Sequence, residues 1–173
     1  MFDSLEIFKE ESHKDASLKL NEIITQFIQK NEKFNLGLSG GNTPKFFYKT
    51  FAELNQENSD ITLWTIDDRH VHLEDDISNQ GMINSIFNKT KMNILELQFN
   101  EDPNKSAEDY SRLVFSRIQS FDCAILGVGD DGHIASLFPY TNALSDESIN
   151  FVANEVNISV SYTHLTLPTK RIV

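Results

Sequence analysis

Glycine is concentrated in this chain, and where it falls constrains the fold more than any other feature. Of seven glycines, six (Gly37, Gly40, Gly41, Gly127, Gly129 and Gly132) lie in or beside two loops, and only Gly81 stands apart. Each loop directly follows a short apolar run. Residues 34–38 lead into Ser39-Gly-Gly-Asn-Thr-Pro44, and residues 123–126 lead into Gly127-Val-Gly-Asp-Asp-Gly-His133. Generic turns would have spread these glycines along the chain. A strand that breaks into glycine brings bare backbone N–H groups close to whatever binds there and allows positive φ. Open α/β sheets bind ligands outside the carboxyl ends of their strands, so both loops are candidate ligand loops.

The rest of the chain alternates in the way such a sheet requires. Residues 12–30 carry Ala16, Leu20, Ile23, Ile24, Phe27 and Ile28 at helical spacing and predict an amphipathic surface helix. Phe46, Phe47, Phe51 and Leu54 mark a second helix after the first glycine loop, with Thr43 as its N-cap and Pro44 as its first residue. Residues 61–66 read as a buried strand carrying Trp64, followed by a charged loop, Asp67-Asp-Arg-His-Val-His72. Ser78-Asn79 caps a helix through Met82, Ile83, Ile86 and Phe87. Residues 93–99 predict a strand or extended edge, Pro103 punctuates a loop, and residues 105–119 form an amphipathic helix leading to the central strand at 123–126. Residues 151–153 and 158–167 read as strands, with a break at Pro168. Alternation of this kind predicts an α/β fold with a mostly parallel sheet.

Three clusters carry chemistry. A loop that ends at a helix N-terminus offers free N–H groups and the positive end of a dipole. With the Ser39 and Thr43 hydroxyls, the Gly40, Gly41 and Asn42 backbone, and Lys45 as an extra charge, the first loop suits a phosphate; it matches neither the dinucleotide fingerprint nor the Walker pattern. At the end of the Trp64 strand, Arg69 can fork onto a phosphate or carboxylate and Asp67 can serve as base or orienter. In the second loop, Asp130 and Asp131 flank His133, and acids beside a histidine can hold an imidazole in one tautomer. His70 and His72 lack a third ligand, which leaves a metal site unsupported.

Composition removes whole classes of function. The net charge is −11, and the 15 Lys and Arg form no cluster, so neither nucleic acid nor an anionic membrane is an expected partner. Cys123 is the only cysteine, which excludes a disulfide framework or cysteine metal site and points to a reducing, cytoplasmic setting. Met1 is followed by no leader-like segment, and no run approaches membrane-span length. At 173 residues a single domain, 1–173, is expected, with no unit after the last strand to complete the α/β repeat.

Taken together, Leu38-Ser-Gly-Gly-Asn-Thr-Pro44, Trp64-Thr-Ile-Asp-Asp-Arg69 with Ser78-Asn79, and Leu126-Gly-Val-Gly-Asp-Asp-Gly-His-Ile-Ala-Ser-Leu-Phe-Pro139 resemble the glucosamine-6-phosphate isomerase/6-phosphogluconolactonase family. The resemblance covers nearly all of residues 10–140 and implies a Rossmann-like sheet with helices on both faces. Ala-Ser-Leu-Phe-Pro after the histidine and Arg69 after the acid pair resemble the lactonase branch; the deaminases carry Ala-Phe-Asn-Glu-Pro and a tyrosine there. Two departures stand out. The second acid, usually Glu, is Asp68, and Ser161-Tyr-Thr-His164 stands where the family has an arginine entering a strand, with Lys170 and Arg171 too late to replace it. Relatives in the family also continue past Val173. Residues 161–173 are therefore set apart as a tail without functional weight.

The resemblance implies hydrolysis of 6-phospho-D-glucono-1,5-lactone, with no metal or organic cofactor because the lactone is already an activated ester. His133 would be the general base, oriented by Asp67 or Asp131. Ser39 to Thr43, Lys45 and Arg69 would hold the phosphate end, and the backbone from Gly129 to Gly132 would steady the oxyanion. Two other readings remain: an aldose-ketose isomerase/deaminase with Asp67 abstracting a carbon-bound proton, and a non-catalytic sugar-phosphate sensor.

Overall fold

The computed structural model describes residues 5–157 and 161–167. The expectations placed on residues 158–160 and on Lys170 and Arg171 lie outside these. Strands β1 (Phe34–Leu38), β2 (Ile61–Thr65), β4 (Asn93–Leu95) and β5 (Cys123–Ile125) form one sheet in the order β4-β2-β1-β5, and every pairing in it is parallel. Helices α1 (His13–Ile28), α2 (Lys45–Leu54) and α3 (Asn79–Phe87) pack on one face, while α4 (Pro103–Arg117) covers the other. A second sheet, β3 (Asp67–Arg69), β7 (Ser161–Thr166) and β6 (Val152–Asn157), is antiparallel in the order β3-β7-β6, and a short helix α5 (Asn142–Ser145) precedes β6. The fold is thus α/β with a mostly parallel sheet flanked by helices.

Strand alternation explains the two cores. Leu36, Leu38, Ile61 and Leu63 face Ile24, Phe47, Phe51 and Ile83, whereas Trp64 faces the opposite cluster with Tyr110, Val114 and Phe151. Each such fully buried apolar side chain contributes roughly 1.5–3 kcal/mol. Gly37 sits opposite Trp64 in the register, and a Cβ there would collide with the indole, so this glycine serves packing. Tyr110 reaches across from α4 to the sheet. Its hydroxyl accepts the Thr65 N–H at 2.7 Å, just past the last β2–β4 pair, Trp64 with Leu95. Tyr110→Phe leaves that buried N–H unpaired and is expected to cost about 1–3 kcal/mol, measurable by urea unfolding.

Four expectations change. The triplet Asp67–Arg69 is a strand, not a loop, because its backbone finds a partner in β7: Asp67 pairs with Thr166 and Arg69 with His164. Helix α2 begins one residue later than expected, with Pro44 at the N-cap and no side-chain cap from Thr43. Pro103 is the first residue of α4 under an Asp102 cap, as suits a residue with no N–H to satisfy. The strand at 123–125 is only half-buried, with Ala124 exposed, because β1 is its single partner among the described residues.

Candidate active site

The first glycine loop leaves β1 at Leu38 and is fixed from below. Ser39 is buried, and its carbonyl accepts the Tyr48 hydroxyl at 2.8 Å. Burial pushes the Tyr48 phenol pKa up, so the hydroxyl remains a donor. Gly40 lies against the Asn79 side chain, which a Cβ at Gly40 would strike, and Gly41 has φ +90°, a conformation natural only to glycine. His13 at the start of α1 clamps the far side of the loop, its Nε2 2.6 Å from the Thr43 carbonyl.

The second loop is built around its histidine. The Gly129 N–H donates to the His133 carbonyl at 2.8 Å and the Gly132 N–H to the Gly129 carbonyl at 2.9 Å, with Gly132 at φ +84°. The Asp131 Oδ1 accepts both the His133 N–H, at 3.2 Å, and the ring Nδ1. The Phe138 ring packs 4.3 Å from the imidazole, centroid to centroid. With Nδ1 directed at a carboxylate, Nε2 is the basic nitrogen, and it has no hydrogen-bond partner among the described residues. Hydrogen bonding by His133 holds the Asp131 pKa below the usual carboxylate range, so Asp131 stays ionised. Asp131, not Asp67, is therefore the acid on the ring. Of the backbone from Gly129 to Gly132 expected to steady an oxyanion, the Gly129 and Gly132 N–H groups are used inside the turn.

Strand β3 supplies the third wall. Asp67 is buried, and its Oδ2 accepts the Ser136 hydroxyl at 2.6 Å while its carbonyl accepts the Asn79 Nδ2 at 2.9 Å. Burial pushes the Asp67 carboxyl up to about 6, against the Ser136 hydrogen bond, which pulls it down. Asp68 points the other way, onto the N-terminus of α3. It accepts the Asn79 and Gln80 N–H groups at 2.7 and 2.8 Å and the Ser78 hydroxyl at 3.1 Å. The shorter acid thus closes on a helix end, a structural use. Arg69 is tethered through Nη1 to the Ile77 carbonyl at 2.9 Å.

These walls meet in a cleft of about 250 Å³ whose lining includes Ser39, Gly40, Gly41, Asp67, Arg69, Gly129 and His133. The two glycine loops therefore share one pocket. Asn42, Thr43 and Lys45 do not line it. Thr43 instead borders a neighbouring apolar cavity with His13, Pro44 and Phe47. His70 and His72 lie against Phe99, with ring centroids 4.6 and 4.0 Å away, and do not line the cleft. Sequence reasoning missed Asn79, Ser136 and Phe138 as lining residues, although all three stand inside the motifs quoted above. It also gave no weight to His164, which lines the cleft with Nδ1 2.9 Å from the Ser136 Oγ; burial lowers its pKa to about 4, so the ring is neutral.

The raised Asp67 pKa has a consequence for stability. The native carboxyl keeps its proton to about 6, above its ordinary value of 3.8, so the folded state binds more protons than the unfolded state between those values. Stability therefore falls as pH rises through this window and levels off above it. Asp67→Asn removes the cost of a buried charge and is expected to stabilise the fold at pH 7 by up to about 3 kcal/mol. Urea unfolding of both proteins at pH 4 and pH 7 checks this: the gain belongs to pH 7.

A parallel α/β sheet flanked by helices, with one cleft lined by His133, His164, Asp67 and Arg69, defines a Rossmann-like protein whose polar pocket lies where such sheets bind ligands. Residues 9–172 match the family of glucosamine-6-phosphate isomerases/6-phosphogluconolactonase, and the chain belongs to that family. It is 34% identical over 154 residues to the 6-phosphogluconolactonase of Chlamydia pneumoniae, covering 83% of this chain and 58% of that protein. The crystal structure of a 6-phosphogluconolactonase from Thermotoga maritima matches with a TM-score of 0.84 at 25% identity, over 96% of this chain and 77% of that one. A monomeric glucosamine-6-phosphate deaminase matches with a TM-score of 0.81 at 21% identity, over 97% and 78% of the two chains, a likeness of fold alone. The chain spans about half to two thirds of the length of the first curated relatives it matches, from 49% to 65%.

Proposed function

We propose that this chain hydrolyses 6-phospho-D-glucono-1,5-lactone to 6-phosphogluconate. The observation that carries the reading is the Asp131–His133 pair, with Nε2 unpartnered among the described residues, across a shared cleft from the Ser39 to Gly41 loop and Arg69. The names of the curated relatives support it further.

The phosphate end of the substrate lies on the Ser39 to Gly41 backbone, with the Arg69 guanidinium as its fork of donors. Water attacks the lactone carbonyl carbon as His133 Nε2 takes its proton, and Asp131 stabilises the resulting imidazolium. The tetrahedral intermediate then collapses, the bond from that carbon to the ring oxygen breaks, and the proton passes from Nε2 to the departing oxygen. Asp67, held beside this centre, orders the attacking water or a sugar hydroxyl. A cytoplasmic setting belongs to the same reading, on the strength of the lone Cys123.

The test follows the disappearance of freshly generated lactone, corrected for its spontaneous hydrolysis; a rate no faster than the uncatalysed one would overturn the proposal. One observation favours a second reading. A buried carboxyl pushed up to about 6, as at Asp67, suits abstraction of a carbon-bound proton from an amino sugar phosphate. Ammonia release from glucosamine 6-phosphate would select it.

A further inference from the structure

We propose that Ser136 is a positioning residue for Asp67: its hydroxyl holds one carboxylate oxygen so that the other is presented to the bound substrate. The inference rests on the hydrolytic reading of the cleft and adds a residue to its machinery.

The two residues are 69 positions apart, yet the Ser136 Oγ lies 2.6 Å from the Asp67 Oδ2. Ser136 is 1% exposed, so its hydroxyl is held within the protein. Its backbone is held as well. The carbonyl accepts the Asn154 Nδ2 at 2.7 Å, and the preceding Ala135 takes φ +50°, a left-handed turn that directs the chain inward. On the opposite side, Asn79 fixes the Asp67 carbonyl at 2.9 Å. The Asp67 Oδ1 makes no hydrogen bond among the described residues, and Asp67 lines the cleft. One oxygen is therefore anchored in protein and the other is left for a ligand. Several titratable groups face this pair: Asp68 and Arg69 on the same strand, His133 from the second loop, His164 on β7 with Nδ1 2.9 Å from the Ser136 Oγ, and Tyr48 on α2. A single hydroxyl proton serves only one acceptor, and the carboxylate at the shorter distance takes it, leaving the serine oxygen to accept from the His164 ring.

A merely structural serine and a positioning serine differ in what they do to the Asp67 carboxyl. Its titration can be followed by carbon-13 NMR in the free protein, with lactone turnover measured alongside. In Ser136→Ala the Asp67 midpoint is expected to rise by about one pH unit, the tenfold equivalent of a hydrogen bond to a charged group. Turnover is expected to fall about tenfold, mainly in kcat. Ser136→Cys keeps the side-chain shape with a poor donor, so it should raise the midpoint in the same direction, and it decides the matter if the alanine variant does not fold. An unchanged Asp67 midpoint in a folded variant overturns the proposal. If the wild-type chain hydrolyses no lactone, the functional reading fails, while the Asp67 titration still judges Ser136 independently.

Discussion

Replacing His133 by alanine is expected to lower lactone turnover by about 10²–10⁴-fold while leaving the affinity for 6-phosphogluconate within about twofold of wild type. The size follows from what a positioned general base contributes in proton transfer. The selectivity follows from the geometry. His133 is directed by Asp131, and the Gly129 and Gly132 amides of its own loop are used within the turn. In the proposed binding mode, phosphate affinity rests instead on the other lining of the cleft, Ser39 to Gly41 and Arg69. Steady-state kinetics paired with calorimetric titration of the product separates the two effects. Wild-type rates in the variant would remove His133 from the chemistry; a matching loss of product affinity would make it a binding residue.

Gly129→Ala should be nearly as damaging to turnover, and for a purely steric reason. A Cβ at this position would fall on the His133 ring and against the Asp131 Oδ1, so the imidazole must move. Misplacing a catalytic group by about 1 Å can cost on the order of 10²-fold in rate. The change carries little expected penalty in stability, because the loop is largely exposed and Gly129, unlike Gly132, does not take positive φ. The prediction is therefore a kcat loss of about 10²-fold with Tm within a few degrees of wild type. Preserved turnover would show that the ring tolerates displacement and that its observed placement is not the working one.

These two variants also show what kind of information the residues carry. Gly129 and His133 are four positions apart, and their relation is a local turn that a glycine-rich run already suggests. The same holds for the Ser78 cap on α3, where the hydroxyl accepts the Gly81 N–H three residues on, as the sequence pattern implies. The family motifs were legible for the same reason: each is a short strand-to-loop segment. Thr43 marks the limit of this kind of reading. A Thr-Pro pair is a sound local signal for a helix start, yet the cap falls on Pro44 and Thr43 turns its carbonyl to His13, a residue 30 positions away.

The sequence by itself determined the alternation of strand and helix, the two glycine loops at strand ends and the place of His133 within the second loop, because each depends on periodicity or on bonds spanning a few residues. Only the tertiary structure decided which acid holds that histidine, that Asp67–Arg69 would be a strand in a second sheet, and that Ser136 would meet Asp67. Those outcomes follow from which buried donors and acceptors find one another once the sheet and helices have packed. A buried polar group must find some partner, but its own neighbours in sequence do not say which one it will be.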